Sequence, residues 1–517
     1  MQKRGHMTLD GCVSAPLDPG PPGSPKRRIL LSGLALFPLS SRIANAAGNS
    51  LRIDTSQKYQ TIEGFGTSLN TWHKDVAEAY QREDWAAFYW ETLGASALRI
   101  ELWGGVAPLP RERWQDMSWH DFSFDGPGLR AAITVGIAKR LNSVSRRHIR
   151  FIASTWTPPA WMKVNGTLGN GHPARKNFSL NFDDPVERGT WNAPHDGDVG
   201  QERYTYLGRN KLRPDRYLHF AKFLVEWSRY LESVGISLYA LSPTNEPRFS
   251  HWFESCVYTP EEYAELLEVI AWMFANQRQP PIQIFGPEHM TWDLAGTQRY
   301  LVALARRQGA HSSLAALASH GYIDGYRADL RKESTSAFRN LAGPSGKKIW
   351  VTEGGFGGHQ WPDPLHQLGA AFLYALRDGG VSLLTAWQTL TRDPLDVNGL
   401  MSLRGPTKKT YVAMQFWRFI RPGMVRIDAR SNSGPDAVAF KDFRTGTTVI
   451  ILLNRNRKSS TVSIHLGSGL NPTIVAFYIT DALHDCSRID AKHDLQSLSI
   501  PGESVVTLIL GTGSLGR

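Results

Sequence analysis

Cysteine is nearly absent: Cys12, Cys256 and Cys486 are the only three in 517 residues. None has the short spacing to a second Cys or to His that a zinc site uses, and three thiols cannot staple a chain of this length. Cys256 and Cys486 read as two free buried thiols, with a single bridge between them as the alternative. Also missing is any Lys/Arg run interleaved with aromatics, so nucleic acid is not an expected partner despite a net charge of +11. No glycine-rich turn has nucleotide-binding spacing, and Gly354-Gly355 lacks it too. No His/Cys/Asp cluster suggests a metal, so neither metal nor cofactor is expected. The one apolar stretch near the N-terminus, Ile29 to Leu39, contains Gly33 and Pro38 and is too short to span a bilayer. No membrane span is expected elsewhere.

What remains is mostly a globular composition, 41% apolar and 20% charged, with room for a large barrel and a second module. Residues 1–25 are rich in Pro and Gly and read as unstructured. Lys26-Arg27-Arg28, the apolar core after it and Ala44-Asn45-Ala46 have the layout of a secretory signal. Residues 1–47 are therefore expected to be a leader and signal peptide, and the mature protein is expected to be secreted or periplasmic. Arg27-Arg28 also fits a twin-arginine signal.

Beyond the leader, short apolar runs alternate with amphipathic stretches, the pattern of parallel β/α units. Strand candidates are Gln60 to Gly66, Ala97 to Leu102, His148 to Ser154, Leu238 to Ser242, Ile282 to Gly286, Leu314 to Ser319, Ile349 to Thr352 and Ser382 to Ala386. Eight is the number a closed barrel needs. Between them, Phe220, Phe223, Leu224, Trp227 and Leu231 form a helical stripe, and Thr259-Pro260-Glu261-Glu262 reads as a capping box. From about Tyr411 the pattern changes to short alternating strands separated by Gly, Asn and Pro. The expected fold is α/β: a (β/α)8 TIM barrel over residues 60–410, with a side antiparallel β-sandwich formed by 51–59 plus 411–517. The long segment from Lys163 to Arg213 lacks periodicity and reads as a loop shaping a substrate cleft, or as a surface insertion.

Two of the strand candidates end in a carboxylate. Leu241-Ser242-Pro243-Thr244-Asn245-Glu246-Pro247 places Glu246 after the fourth barrel strand, and Val351-Thr352-Glu353-Gly354-Gly355 places Glu353 after the seventh. Strand C-termini form the reactive face of a parallel barrel, and a carboxylate pair is the minimum equipment for cleaving a glycosidic bond. For either glutamate alone, a structural ion pair would be the ordinary reading. Seventeen tryptophans offer flat apolar faces suited to sugar rings, although any one of them can equally be core material.

The set Ile62-Glu63-Gly64-Phe65-Gly66, Leu98-Arg99-Ile100, Thr155-Trp156-Thr157-Pro158-Pro159-Ala160-Trp161-Met162-Lys163, Thr244-Asn245-Glu246-Pro247, Gly286-Pro287-Glu288, Ser319-His320-Gly321-Tyr322 and Thr352-Glu353-Gly354, in this order, resembles glycoside hydrolase family 30. The resemblance runs from about residue 52 to the C-terminus. It implies a retaining β-glycoside hydrolase of clan A, with Glu246 as general acid/base and Glu353 as nucleophile. Asn245 would meet the sugar 2-hydroxyl, Arg99 and Tyr322 would keep Glu353 ionised, and His320 would line the pocket. Trp156 and Trp387 would floor the sugar site. Glu288 is a further strand-end carboxylate, and Glu101 and Trp103 are weaker subsite candidates. The implied substrate is a β-glycoside or polysaccharide, with the protein acting as a monomer. Relatives that take glucuronoxylan hold its acid branch with basic and hydroxyl-bearing aromatic residues after the eighth strand. Here that segment reads Gln388-Thr389-Leu390-Thr391-Arg392, with Arg392 the only base. A carbohydrate-binding protein on an inactive hydrolase scaffold is the alternative function.

Overall fold

Strand β1 (Asn49–Thr61) belongs to one sheet and β2 (Gly64–Ser68) to another, with only Ile62 and Glu63 between them. The computed structural model describes residues 49–511 apart from 108, 146–148, 171–208, 251–252, 278–281, 291–292, 322–327, 356, 468–472 and 491–493. The expected leader, most of the Lys163–Arg213 loop and Tyr322 lie outside the described residues.

β2 opens a closed barrel. It continues through β3 (Ala97–Glu101), β4 (Arg150–Ser154), β5 (Leu238–Ser242), β6 (Gln283–Met290), β7 (Leu314–His320), β8 (Lys348–Glu353) and β9 (Val381–Thr391). Each strand pairs in parallel with the next, and β9 pairs with both β8 and β2, closing the ring. Helices cover the outside, among them Leu129–Val144, Tyr217–Ser233, Pro260–Asn276 and Ala370–Arg377. The expected capping box is present. Thr259 Oγ1 accepts from Glu262 N at 3.2 Å, and Glu262 Oε2 accepts from Thr259 N at 2.8 Å.

The barrel interior is filled by Ile152, Ala240, Phe285, Ala316, Ala318, Trp350 and Leu383. Three alanines leave the room that the Trp350 ring takes up, the large-and-small layering of such barrels. Below this layer sits Glu63. Its carboxylate accepts from Tyr239 Oη (2.5 Å), Lys348 Nζ (2.7 Å), Trp350 Nε1 (2.7 Å) and Ser382 Oγ (2.7 Å). One carboxylate thus pins β5, β8 and β9 at the barrel floor. Burial alone would raise its pKa, but Lys348 and the neutral donors hold it below the usual range. This anchoring corrects the expected first strand. Gln60 and Thr61 end β1, with Thr61 opposite Val425, and the barrel strand starts only after the Glu63 anchor. At Gly66 a Cβ would collide with the Ala97 carbonyl, so β2 and β3 approach more closely there than a side chain permits.

β10 (Gly399–Ser402) and β11 (Gly405–Pro406) extend the upper end of β9, and helix Lys408–Trp417 follows. The second sheet then forms from β12 (Val425–Ser431), β13 (Asp436–Lys441), β14 (Thr448–Asn454), β15 (Ser460–Leu466), β16 (Thr473–Thr480), β17 (Ser487–Arg488), β18 (Leu498–Ile500) and β19 (Ser504–Gly511). Its order is β17-β16-β19-β14-β13-β12-β1-β15-β18, so β1 lies inside it, antiparallel to β12 and parallel to β15. β14 is apolar without alternation because both of its faces are covered. Ile450 and Leu452 face the sandwich core, while Val449, Ile451 and Leu453 join the core shared with the barrel helices. Thr507 Oγ1 donates to the Gln415 carbonyl at 2.9 Å, and Gln415 Nε2 donates to Thr480 Oγ1 at 2.9 Å, tying the 408–417 helix to this sheet. Cys256 and Cys486 are free and buried. No helix among the described residues is long and apolar enough to cross a membrane.

Candidate active site

Side chains on or just after β2, β4, β5, β6 and β8 converge on Arg99 at the C-terminal rim. From β3, Arg99 donates to Glu353 Oε1 (2.6 Å, β8), Asn245 Oδ1 (2.8 Å, after β5), Glu288 Oε1 (3.0 Å, β6), Ser154 Oγ (3.0 Å, β4) and Ser68 Oγ (3.2 Å, β2). The guanidinium is fully buried and lies 4.5 Å over the Trp156 ring. A planar fork of five N–H groups suits this spread of acceptors, which an ammonium could not serve.

His320 ends β7, directly opposite Glu353 in the β7–β8 register. Its Nδ1 is 2.8 Å from Glu246 Oε1 and 3.4 Å from Glu353 Oε2, and its Nε2 is 3.6 Å from Glu288 Oε1. Burial pulls its pKa down, but the three carboxylates outweigh that and raise it to about 9. The ring is therefore an imidazolium at neutral pH, with Nδ1–H donating to Glu246.

One oxygen of Glu246 and one of Glu353 lie within 4.8 Å of each other and of a His320 ring nitrogen. Burial pushes Glu353 up to about 7, with Glu246 and Glu288 adding to the rise and His320 and Arg99 opposing it. Glu288 goes the other way. Burial would raise it, yet Arg99 and His320 hold it down at about 2, so it stays a carboxylate. Three carboxyl groups thus face two cations. Among the described residues, Glu246, His320 and Glu353 are also the one group positioned to ligate a metal. An imidazolium has no lone pair to offer, and the cluster already carries its own positive charge, so these donors do not suit a cation.

Aromatic rings form the wall. Trp387 lies 6.2 Å from Trp156 and 5.5 Å from Trp72, centroid to centroid. Trp387 occupies a bulge in β9: Thr67 pairs with Ala386 and Ser68 with Gln388, leaving Trp387 as the extra residue. A bulge re-aims a side chain, here onto the rim. Trp156 is almost buried and backs the Arg99 guanidinium, whereas Trp72 and Trp387 are half-buried.

The fold therefore gathers Arg99, Asn245, Glu246, His320, Glu353, Trp156 and Trp387 at one rim, while Tyr322 falls outside the described residues. Trp72, Ser68 and Ser154 were not anticipated. Trp72 sits four residues beyond β2 in a polar stretch, where only the general tendency of aromatics to follow barrel strands could have marked it. Trp103 is turned into the core, donating to the Pro127 carbonyl beneath Arg130, and offers no open face. Glu101 is raised well above the usual carboxylate range, first by burial and then by Glu254. Arg392 donates to Asp75 Oδ2 at 2.8 Å on the surface.

Comparison with known proteins agrees with this architecture. Residues 423–508 match the glycosyl hydrolase family 30 β-sandwich domain. Over 479 residues the chain is 23% identical to a glucuronoxylanase, XynC, of Bacillus subtilis, covering 90% of this chain and 92% of that protein. The C-terminal sandwich region is thus similar to that of glycoside hydrolase family 30, and the likeness to XynC extends along the rest of the chain. Solved structures of similar fold superpose over about nine-tenths of the chain. The subfamily 8 xylanase Xyn30A from Clostridium acetobutylicum gives a TM-score of 0.64 at 21% identity, covering 90% of this chain and 100% of that one. The endo-β1,6-glucanase BT3312 gives 0.63 at 18%, covering 90% and 94%. At these identities the structural likeness speaks for the fold. These likenesses support a glycosyl hydrolase, and a carbohydrate substrate is consistent with that.

Proposed function

We propose that this protein is an exported, retaining β-glycoside hydrolase of the family 30 type working by double displacement, with Glu353 as nucleophile and Glu246 as general acid/base. The observation that carries this reading is the approach of the two carboxylates to within 4.8 Å. A separation of roughly 5 Å leaves no room for a water between catalytic acids and suits a covalent glycosyl-enzyme.

In the first step a Glu353 oxygen attacks the anomeric carbon while Glu246 gives its proton to the departing glycosidic oxygen. Arg99, 2.6 Å from Glu353, favours the charge on that carboxyl. The His320 hydrogen bond turns the Glu246 carboxyl toward the leaving group. In the second step Glu246, now ionised, takes a proton from water. That water displaces Glu353, and the product keeps its anomeric configuration. Asn245 spends its Oδ1 on Arg99, so its NH2 faces outward and donates to the sugar 2-hydroxyl. Trp387 and Trp72 stack on the ring.

The expected substrate is a neutral β-linked glycan. The base that directly follows β9, Arg392, is engaged by Asp75 rather than held toward the cleft for an acidic branch. The xylanases and the glucanase among the relatives mark β-xylan and β-1,6-glucan as the first polymers to assay. With both carboxylates paired as chemistry requires, an inactive binding scaffold has no observation in its favour.

The test is hydrolysis of xylan, glucuronoxylan, β-1,6-glucan and aryl β-glycosides, with the first product anomer read by NMR. A 2-deoxy-2-fluoro glycoside should label Glu353, detected by peptide mass spectrometry. Inverted product, or a label on another residue, would refute the assignment.

A further inference from the structure

Four described residues other than glycine have a positive φ, and two of them are Glu246 (47°) and Glu288 (60°). This left-handed region is disfavoured for a side chain as long as glutamate, so the surrounding structure must hold both in place. The residues that follow show what does. Arg248, two beyond Glu246, and His289, one beyond Glu288, both reach the same atom, Asp293 Oδ2. His289 Nε2 is 2.7 Å from it, and Arg248 Nη1 is in direct ion-pair contact. The other oxygen, Oδ1, accepts the Gly296 N–H at 2.9 Å and caps helix Leu294–Arg306. A Cβ at Gly296 would collide with both the Asp293 carboxylate and the Arg248 guanidinium, so the cluster closes only over a glycine. Asp293 stays ionised. Burial would raise it, but His289, the Gly296 N–H and Arg248 bring it down to about 2.

We propose that Asp293 is a positioning residue for Glu246, latching the segment after β5 to the segment after β6 so that the Glu246 carboxyl stays against His320. Asp293 touches no reacting atom. It fixes Arg248, and through two residues of backbone it fixes the left-handed turn that aims Glu246. The same carboxylate holds His289 beside Glu288, so the two strained glutamates share one anchor, itself seated on a helix N-terminus. The proposal rests on reading Glu246 as the general acid.

Protonation of the leaving group matters for a phenyl glycoside and little for a 2,4-dinitrophenyl glycoside, whose phenolate departs unaided. The measurement is kcat/KM, which reports the first chemical step, on matched phenyl and 2,4-dinitrophenyl β-glucosides and β-xylobiosides. Asp293→Asn keeps the size and the helix cap and removes the charge. The expected result is a loss of tenfold or more on the phenyl substrates and less than threefold on the dinitrophenyl ones, with Glu246→Gln giving the same split more strongly. Equal loss on both, or loss on neither, while Glu246→Gln shows the split, overturns the latch. If Glu246→Gln itself shows no split, the role of Glu246 fails instead. Should Asp293→Asn not fold, Arg248→Met removes the other arm with the cap intact and must show the same selectivity. A crystal structure of the variant gives a readout without activity. Glu246 at an unchanged φ and still 2.8 Å from His320 would also overturn the proposal.

Discussion

Replacing Arg99 by Met removes one of two cations from among three carboxyl groups. Glu353 and Glu288 both contact the guanidinium, at 2.6 and 3.0 Å. With charge centres roughly 4 Å apart and an effective dielectric near 20, each attraction is about 4 kcal/mol. At 1.36 kcal/mol per pKa unit, that corresponds to roughly 3 units. Glu353, already pushed up to about 7, would move toward 10, and only about one enzyme in a thousand would carry an ionised nucleophile at pH 7. The expected loss in kcat/KM at pH 7 is therefore on the order of 10²–10³-fold, shrinking as the pH is raised toward 9. The assay is a pH–rate profile of kcat/KM on an aryl β-glycoside. In the wild type the acid limb should fall near 7, because protonating Glu353 removes the nucleophile, and in the variant that limb should shift upward by more than one unit. Arg99→Lys keeps the charge but cannot reach five acceptors, so a smaller shift and a loss of about tenfold are expected. An acid limb that stays in place in Arg99→Met would refute the reasoning, because the guanidinium would then not be what sets the charge on Glu353.

Glu63→Leu strands the Tyr239, Lys348, Trp350 and Ser382 donors at the barrel floor and should cost about 3–5 kcal/mol, read as a lowered urea midpoint, with little change in KM. Glu288 is lowered from its ordinary value to about 2, so its contribution, about 3 kcal/mol, is complete above pH 4.5 and is lost as the pH falls toward 2. Glu288→Gln should flatten that part of the stability–pH curve measured by denaturant unfolding. His320 is raised to about 9, so what it adds to stability is complete below pH 6.5 and disappears as the pH rises through 9. His320→Gln should remove that alkaline fall. Trp387→Ala removes a stacking face without touching the carboxylates, and KM for oligosaccharides should rise several-fold while kcat/KM on a dinitrophenyl glycoside changes less.

The barrel was readable because each strand is a short buried run flanked by breakers. β5 was placed to the residue, and the remaining strands differ by a few residues at their ends. Those ends failed where hydrogen bonding rather than hydrophobicity decides. β1 runs on to Thr61 because the sandwich pairs with it, and β6 extends past Pro287 to Met290 despite the proline. Glu246 and Glu353 were legible as strand-end carboxylates, and the resemblance to family 30 marked Arg99, Asn245 and His320 around them. What the sequence could not reveal is who touches whom. Ser68 and Ser154 are unremarkable letters until Arg99 lies between them, and Asp293 reads as an ordinary helix cap until Arg248 and His289 converge on it. Trp103 misled for the opposite reason: its position after β3 suggested the cleft, but its indole N–H found the Pro127 carbonyl inside.

The place of β1 has a consequence for how the molecule is made. Ser50 N donates to Asn432 Oδ1, a partner 382 residues further along the chain. The first strand to be synthesised among the described residues is therefore among the last to find its neighbours, and until then β12 and β15 have an empty slot between them. Contacts this distant in sequence form slowly, and an unpaired strand invites association with other chains in the meantime. Yield of folded protein should thus depend on synthesis reaching its final hundred residues, and a fragment ending at the barrel would carry an orphan strand at its front end.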